Sequence, residues 1–284
     1  MNTPPPVTSQ LDIQGNATAV RDWPLAAEVP LRGVVLLVHG LGEHTGRYEG
    51  LAQHLNDWGF AVRGYDQFGH GNTGGVRGCL TSDNRLLDDL AAMVDDTRAR
   101  MAQGTPLILL GHSLGGLVVA RFVGLNLGLG LRPVEALVLS SPALDPGLNW
   151  VQKLLLAVLP KIAPNLCVGN GLDPAMLSHD RTVVAAYKAD PLVHDRVSGR
   201  LARFIADNGP AVIAQAPDWT TPTLLLFAGA DKLVNPAGSR AFAAAAPKTV
   251  VSAHSFDALY HEIFNERKAA PVFAELKKWL EFRF

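Results

Sequence analysis

The stretch Leu109-Leu110-Gly111-His112-Ser113-Leu114-Gly115-Gly116 sets a serine two residues from a glycine on either side. Such a serine either caps a helix or attacks an electrophilic carbon. A hydroxyl is a weak nucleophile at neutral pH, so attack requires a base to take its proton and an acid to orient that base. It also requires preset N–H donors for the oxyanion that forms. For the acid, Asp231 in LLLFAGAD follows an apolar run ending at Phe227, and Gly229 eases the turn that presents the carboxylate. Its rival is Asp145 in LSSPALD, and otherwise Asp231 is a turn or cap residue. Of nine histidines, only His254 and His261 follow Asp231. His261, in DALYHEIF before the last helix, is the preferred base; His254 closes the run TVVSAH and reads as strand-end packing. His112 is a poor base for its own neighbour, because adjacent side chains diverge on a strand ending. Backbone N–H groups of Leu114 and of Leu41, within His39-Gly40-Leu41-Gly42-Glu43-His44, are the candidate oxyanion donors. His39 and His44 are read as hydrogen-bonding supports of their loops.

Those residues need a scaffold. Apolar runs at Gly33–Val38, Phe60–Tyr65, Pro106–Leu110, Val134–Leu139 and Thr223–Phe227 read as strands buried on both faces, lacking polar alternation. Between them, Leu86, Leu90, Met93, Val94 and Thr97 fall on one helical stripe behind a Ser82/Asp83 cap. Val272, Phe273, Leu276, Trp279 and Leu280 form another stripe, and the Ala-rich Ala241–Ala246 reads as helix. Strands alternating with helices predict an α/β fold with a mostly parallel sheet. Ser113 then lies between a strand and a helix, the setting of a nucleophile elbow, where flanking glycines remove obstructing Cβ atoms and the helix N-terminus supplies N–H groups. Residues 143–218 hold helical stretches such as WVQKLLLAVL and RTVVAAYKAD without a convincing strand. They are expected to form a helical cap over the sheet edge, inserted into a core of residues 1–142 and 219–284.

Composition narrows the function. With 284 residues, 48% hydrophobic, the chain can bury one large core, and a net charge of −1 with scattered Lys and Arg gives no basic face for nucleic acid. The start, MNTPPPVTSQLDIQGN, has neither the positive end nor the apolar core of a secretory signal; it reads as a frayed lead-in, and a cytoplasmic location is expected. The apolar stretch 148–166 is broken by Lys153, Pro160, Lys161 and Pro164, so no membrane span is expected. Cys79 and Cys167, in no CxxC or His-flanked arrangement, are expected to be ordinary thiols, with no zinc site and no metal.

The segments HGLGEHTGRY (39–48), YDQFGHGNT (65–73), GHSLGG (111–116), YKADPLV (187–193), GADKLV (229–234) and YHEIFNE (260–266) together resemble the monoacylglycerol lipase and lysophospholipase group of α/β-hydrolases. The likeness runs from about residue 30 to the C-terminus and implies the α/β-hydrolase fold. It implies Ser113 as nucleophile, Asp231 as acid, His261 as base and the N–H groups of Leu41 and Leu114 as oxyanion hole, in agreement with the residue-level choices. Thr73 stands where the group usually has serine, and Leu114 replaces the commoner methionine.

The expected activity is cofactor-independent hydrolysis of carboxylic esters through an acyl-enzyme on Ser113, with a monoglyceride-like lipid ester as first choice and a broad carboxylesterase or lysophospholipase as alternative. In the cap, Trp150, Leu154, Leu155 and Val158 belong to a helix too apolar for a plain solvent-facing cover. Either these side chains meet the acyl chain, a membrane or a micelle, or they dock the cap onto the core. A ligand-binding receptor on a hydrolase scaffold is the rival from another class; the complete serine, acid and histidine set argues against it.

Overall fold

The computed structural model describes residues 4–145, 147 and 163–284. In chain order the elements begin with strands β1 (Val7–Ile13), β2 (Asn16–Trp23) and β3 (Gly33–Val38), helix α1 (Glu49–Asp57), β4 (Phe60–Tyr65) and α2 (Arg85–Arg100). Next come β5 (Leu107–His112), α3 (Leu114–Asn126), β6 (Ala136–Ser140), β7 (Cys167–Gly169), α4 (Arg181–Ala189) and β8 (Arg196–Ser198). The chain ends with α5 (Gly199–Gln215), β9 (Thr223–Ala228), α6 (Pro236–Ala245), β10 (Val251–Phe256) and α7 (Ala270–Arg283). Eight strands make one sheet in the order β1-β2-β4-β3-β5-β6-β9-β10. The β1–β2 and β2–β4 pairs are antiparallel and the rest parallel, as the α/β reading expects.

Alternate side chains of a strand point to opposite faces, so a strand covered on both faces must be apolar throughout. In β3, Leu36 and Val38 join the core beneath α2, α3, α5 and α6, while Val35 and Leu37 join the core beneath α1 and α7. In β5, Leu107 and Leu109 go to the first core and Ile108 and Leu110 to the second. Leu86, Leu90, Met93, Val94 and Thr97 are buried on α2, and Val272, Leu276, Trp279 and Leu280 on α7.

Three local expectations change. The lead-in is not frayed: Val7–Ile13 pairs with β2 through a two-residue turn at Gln14 and Gly15, which take φ of 54° and 75°. Both positive values suit a hairpin turn matched to strand twist. Helix α2 starts at Arg85 behind Asn84 and not behind Ser82/Asp83. Within 143–218, β7 and β8 form a two-stranded antiparallel ribbon, each strand only three residues long and so too short to leave an alternating pattern. The closing helix of that segment, α5, buries Leu201, Phe204 and Val212 in the core shared with α3 and α6.

Cys79 and Cys167 are not free thiols but form a disulfide across 88 positions, with Cα atoms 6.5 Å apart. The ribbon strand β7 is carried back to the loop after β4, a meeting that spacing in the sequence cannot show. It ties the segment that follows residue 162 to the core. Reducing the bond, or replacing both cysteines with serine, should lower stability by about 2–4 kcal/mol, read as a lower urea midpoint in the presence of reductant.

Candidate active site

Strand β5 ends at His112, and Ser113 turns the chain into α3 with φ 53° and ψ −118°. A non-glycine residue holds such a backbone only where its surroundings fix it. The Ser113 N–H donates to the Ser140 carbonyl (3.0 Å), and its carbonyl accepts from Leu117 (3.1 Å) and Ala143 (3.0 Å). The flanking glycines are steric requirements: a Cβ on Gly115 would strike the carbonyls of Val38 and His39, and one on Gly111 would strike Gly115.

Asp231, beyond β9, and His261, beyond β10, are brought together: His261 Nδ1 lies 2.7 Å from Asp231 Oδ2, with both side chains at most 5% exposed. Asp231 Oδ1 accepts from the N–H groups of Leu233 (2.9 Å) and Val234 (3.0 Å), which fixes the carboxylate. Burial opposes the imidazolium, but the Asp231 charge and hydrogen bond outweigh it and raise the His261 pKa above its ordinary value. Burial likewise opposes the carboxylate, and His261 together with the two N–H groups lowers the Asp231 pKa.

The other candidates lie elsewhere. Asp145 accepts from the Asn235 side chain (2.7 Å) and from Gly147 N–H (2.8 Å), holding the start of α6. His254, 40% exposed on β10, faces Glu275 at 3.7 Å. His112 meets Ser140 Oγ at 3.0 Å, and its ring lies 4.7 Å from the His261 ring, tilted by 52°; burial first, and then the His261 charge, push its pKa down to about 4. His39 approaches the Gly40 carbonyl (2.8 Å) and accepts from Gln67 N–H (2.9 Å), while His44 donates to Asp190 of the inserted segment (2.8 Å).

Ser113 and His261 open onto one cleft of about 290 Å³, lined also by Gly40, Leu41 and residues of the insertion. Leu41 sits in the loop beside Ser113, and Leu114 is the first residue of α3, where helix N–H groups have no partner within the helix. Trp150, Leu154, Leu155 and Val158 lie outside the described residues.

The cleft holds polar residues to which the sequence assigned no role. Arg47 makes a two-pronged pair with Glu262 (2.7 and 2.8 Å) and reaches Glu43 at 2.5 Å. Glu43 Oε1 accepts from Gly40 N–H and Tyr48 OH, both at 2.6 Å, so the same carboxylate shapes the loop beside Ser113. Tyr187 of α4 lies under the Arg47 guanidinium, 4.7 Å from it. Burial would raise the Glu43 pKa, but Arg47, His112 and His39 hold it at about 2. All four residues stand inside quoted segments, HGLGEHTGRY, YKADPLV and YHEIFNE, but only folding brings the three segments to one wall.

An Asp–His pair opening onto a cleft with a serine at a strained strand-to-helix turn, over a mostly parallel sheet, defines an α/β-hydrolase. Residues 29–268 match the family described as Serine aminopeptidase, S33, and the chain belongs to it. It is 36% identical over 256 residues to the monoacylglycerol lipase of Mycolicibacterium smegmatis, covering 88% of each chain. It is 29% identical to the human monoglyceride lipase, over 89% of this chain and 83% of that one. Among solved structures, the Paleococcus ferrophilus monoacylglycerol lipase superposes with a TM-score of 0.82 at 35% identity, covering 95% of this chain and 99% of its own. A soluble variant of Saccharomyces cerevisiae monoglyceride lipase, in complex with a substrate analog, gives 0.87 at 25% identity, over 99% and 96%.

Replacing Arg47 with Met leaves Glu43 and Glu262 buried without their cation and should destabilise the protein by about 3–5 kcal/mol in urea unfolding. Because the Glu43 pKa is depressed on folding, its share of stability is present above the ordinary carboxylate range and is lost as pH falls through about 2. The gap between Arg47→Met and wild type should therefore narrow toward low pH.

Proposed function

We propose that Ser113, His261 and Asp231 carry the hydrolysis of a monoacylglycerol or a similar neutral lipid monoester, with the N–H groups of Leu41 and Leu114 as the oxyanion hole. The chain is a carboxylic ester hydrolase, the class of its monoacylglycerol lipase relatives, and its family is one of serine hydrolases. His261 takes the Ser113 proton as the oxygen attacks the ester carbonyl, and it returns that proton to the departing alcohol. A water activated by the same imidazole then releases the fatty acid and frees Ser113. Asp231 holds the Nδ1–H tautomer and stabilises the imidazolium. No step calls for a metal or cofactor.

The observation that carries the substrate reading is the polar wall of the cleft. Arg47, Glu43 and Glu262, paired with one another, line the cleft together with Tyr187 and make this wall polar, the kind of surface the glycerol of a monoglyceride would need. The lining carries five carboxylates, Glu43, Asp173, Asp190, Asp195 and Glu262, against the cations Arg47 and Lys188, and Arg47 is already paired twice. That balance opposes a phosphate headgroup, which places a lysophospholipid second. Residues 143–218 act as the cap, and its exposed Leu166, Val168 and Leu172 favour contact with a membrane or micelle. Among the described residues no helix is long and apolar enough to cross a membrane. A cytoplasmic setting would keep Cys79 and Cys167 reduced, whereas the disulfide suits an oxidising one; alkylation of thiols in intact cells, followed by mass spectrometry, decides between them.

Three measurements test the reading. A panel of monoacylglycerols, lysophospholipids and p-nitrophenyl esters of rising chain length should rank monoacylglycerols first by kcat/KM, and faster turnover of lysophospholipid would reverse the headgroup assignment. Asp231→Asn should reduce kcat by about 10⁴-fold with folding intact, while Asp145→Asn and His254→Ala leave activity nearly unchanged. Activity needs neutral His261, so the acid limb of wild-type kcat/KM should lie above the ordinary histidine value. Removing the Asp231 charge should move that limb to lower pH.

A further inference from the structure

Glu266 has no place in the chemistry just described, yet its carboxylate is 1% exposed. A buried carboxylate is stable only where donors surround it. Glu266 Oε1 accepts from Tyr260 N–H (2.8 Å) and faces His179 Nδ1 (2.7 Å), and Oε2 accepts from His179 N–H (3.2 Å) with Ser178 Oγ at 3.4 Å. Ser178 Oγ donates to the Asn265 carbonyl (2.9 Å), and the Tyr260 ring stacks on His179 at 3.7 Å. On the other side of the base, Glu262 N–H donates to the Leu177 carbonyl (2.9 Å). Both neighbours of His261 are thus bound: Tyr260 by Glu266, and Glu262 by Leu177. The far side of each joint is Leu177–His179, the three residues that lead into Asp180, the N-cap of α4. The same helix presents Tyr187 to the cleft and ends at Asp190, the partner of His44.

We propose that Glu266 is the positioning residue for His261, locking the loop that carries the base to Leu177–His179 so that the base and this part of the inserted segment hold one fixed relation. The inference rests on the reading of His261 as general base. Attack by Ser113 requires the imidazole to be placed within a fraction of an ångström, and a displacement of about 1 Å can reduce a rate by about 10²-fold. Two backbone N–H anchors beside His261 supply that constraint, and one of them depends on a single carboxylate.

The test uses Glu266→Ala, Glu266→Gln and His179→Ala in the full chain, with p-nitrophenyl butyrate turnover expressed per site titrated by a fluorophosphonate. Glu266→Ala should lower kcat per titrated site by about 10- to 100-fold with KM little changed, and its acid limb should shift to lower pH as the imidazole loses part of its bond to Asp231. Glu266→Gln keeps an acceptor for Tyr260 N–H and should recover more than half of the logarithmic loss. His179→Ala, on a half-exposed side chain, should show a smaller drop in the same sense. An unchanged kcat per site in Glu266→Ala, a rise in KM alone, or no recovery by glutamine overturns the proposal. Should Glu266→Ala fail to fold, Glu266→Gln and His179→Ala decide it: wild-type kcat per site with an unmoved acid limb in both rejects the role. If instead Ser113→Ala keeps full activity, or the wild-type label sits on another residue, the reading of the site fails, independently of Glu266.

Discussion

The structure depends on one forced turn. Strand β5 is apolar on both faces, so it can only run through the middle of the sheet, and its last residue must hand the chain to α3 within a single position. Ser113 makes that turn at φ 53°, held by its N–H donating to Ser140 and its carbonyl accepting from Leu117 of α3 and Ala143 just beyond β6. The glycines at 111 and 115 are the clearance such a turn demands, since a side chain at either would meet backbone of the turn itself or of the neighbouring strand end. Strain of this kind, about 1–3 kcal/mol, persists only where the surroundings over-determine it.

Around that turn the buried carboxylates are held by several donors each. Asp231 has two N–H donors and His261; Glu43 has Gly40, Tyr48 and Arg47; Glu266 has Tyr260 and His179. Each carboxylate is removed from water and each is met by donors from more than one segment, which is how burial becomes rigidity. The inserted segment takes part through His44–Asp190, Arg47–Tyr187 and Leu177–Glu262. It therefore completes the walls of the cleft in addition to covering it.

Much of this was legible in the residues. Strands β3, β4 and β9 stand within a residue of the apolar runs that announced them, and the buried stripes of α2 and α7 follow their helical spacing, because continuous apolarity and a 3.6-residue period are direct images of burial. The hairpin β1–β2 was missed: its burial pattern is largely exposed along β1, so no apolar run marked it. The choice of Asp231 over Asp145 drew on a strand end and the Gly229 turn, and that of His261 over His254 on a loop before the last helix, all local properties, and a 2.7 Å contact joins the preferred pair.

By itself the sequence determined the α/β class, the turn at Ser113 and the candidate residues around it, because those follow from local burial, backbone sterics and side-chain chemistry. Only the tertiary structure decided that Cys79 reaches Cys167, that Arg47 joins Glu43 to Glu262, and that Glu266 ties the His261 loop to His179. The disulfide spans 88 positions, Arg47 to Glu262 spans 215 and His179 to Glu266 spans 87. Pairing at such range is set by how helices and strands stack in three dimensions, and it leaves no period or spacing along the chain.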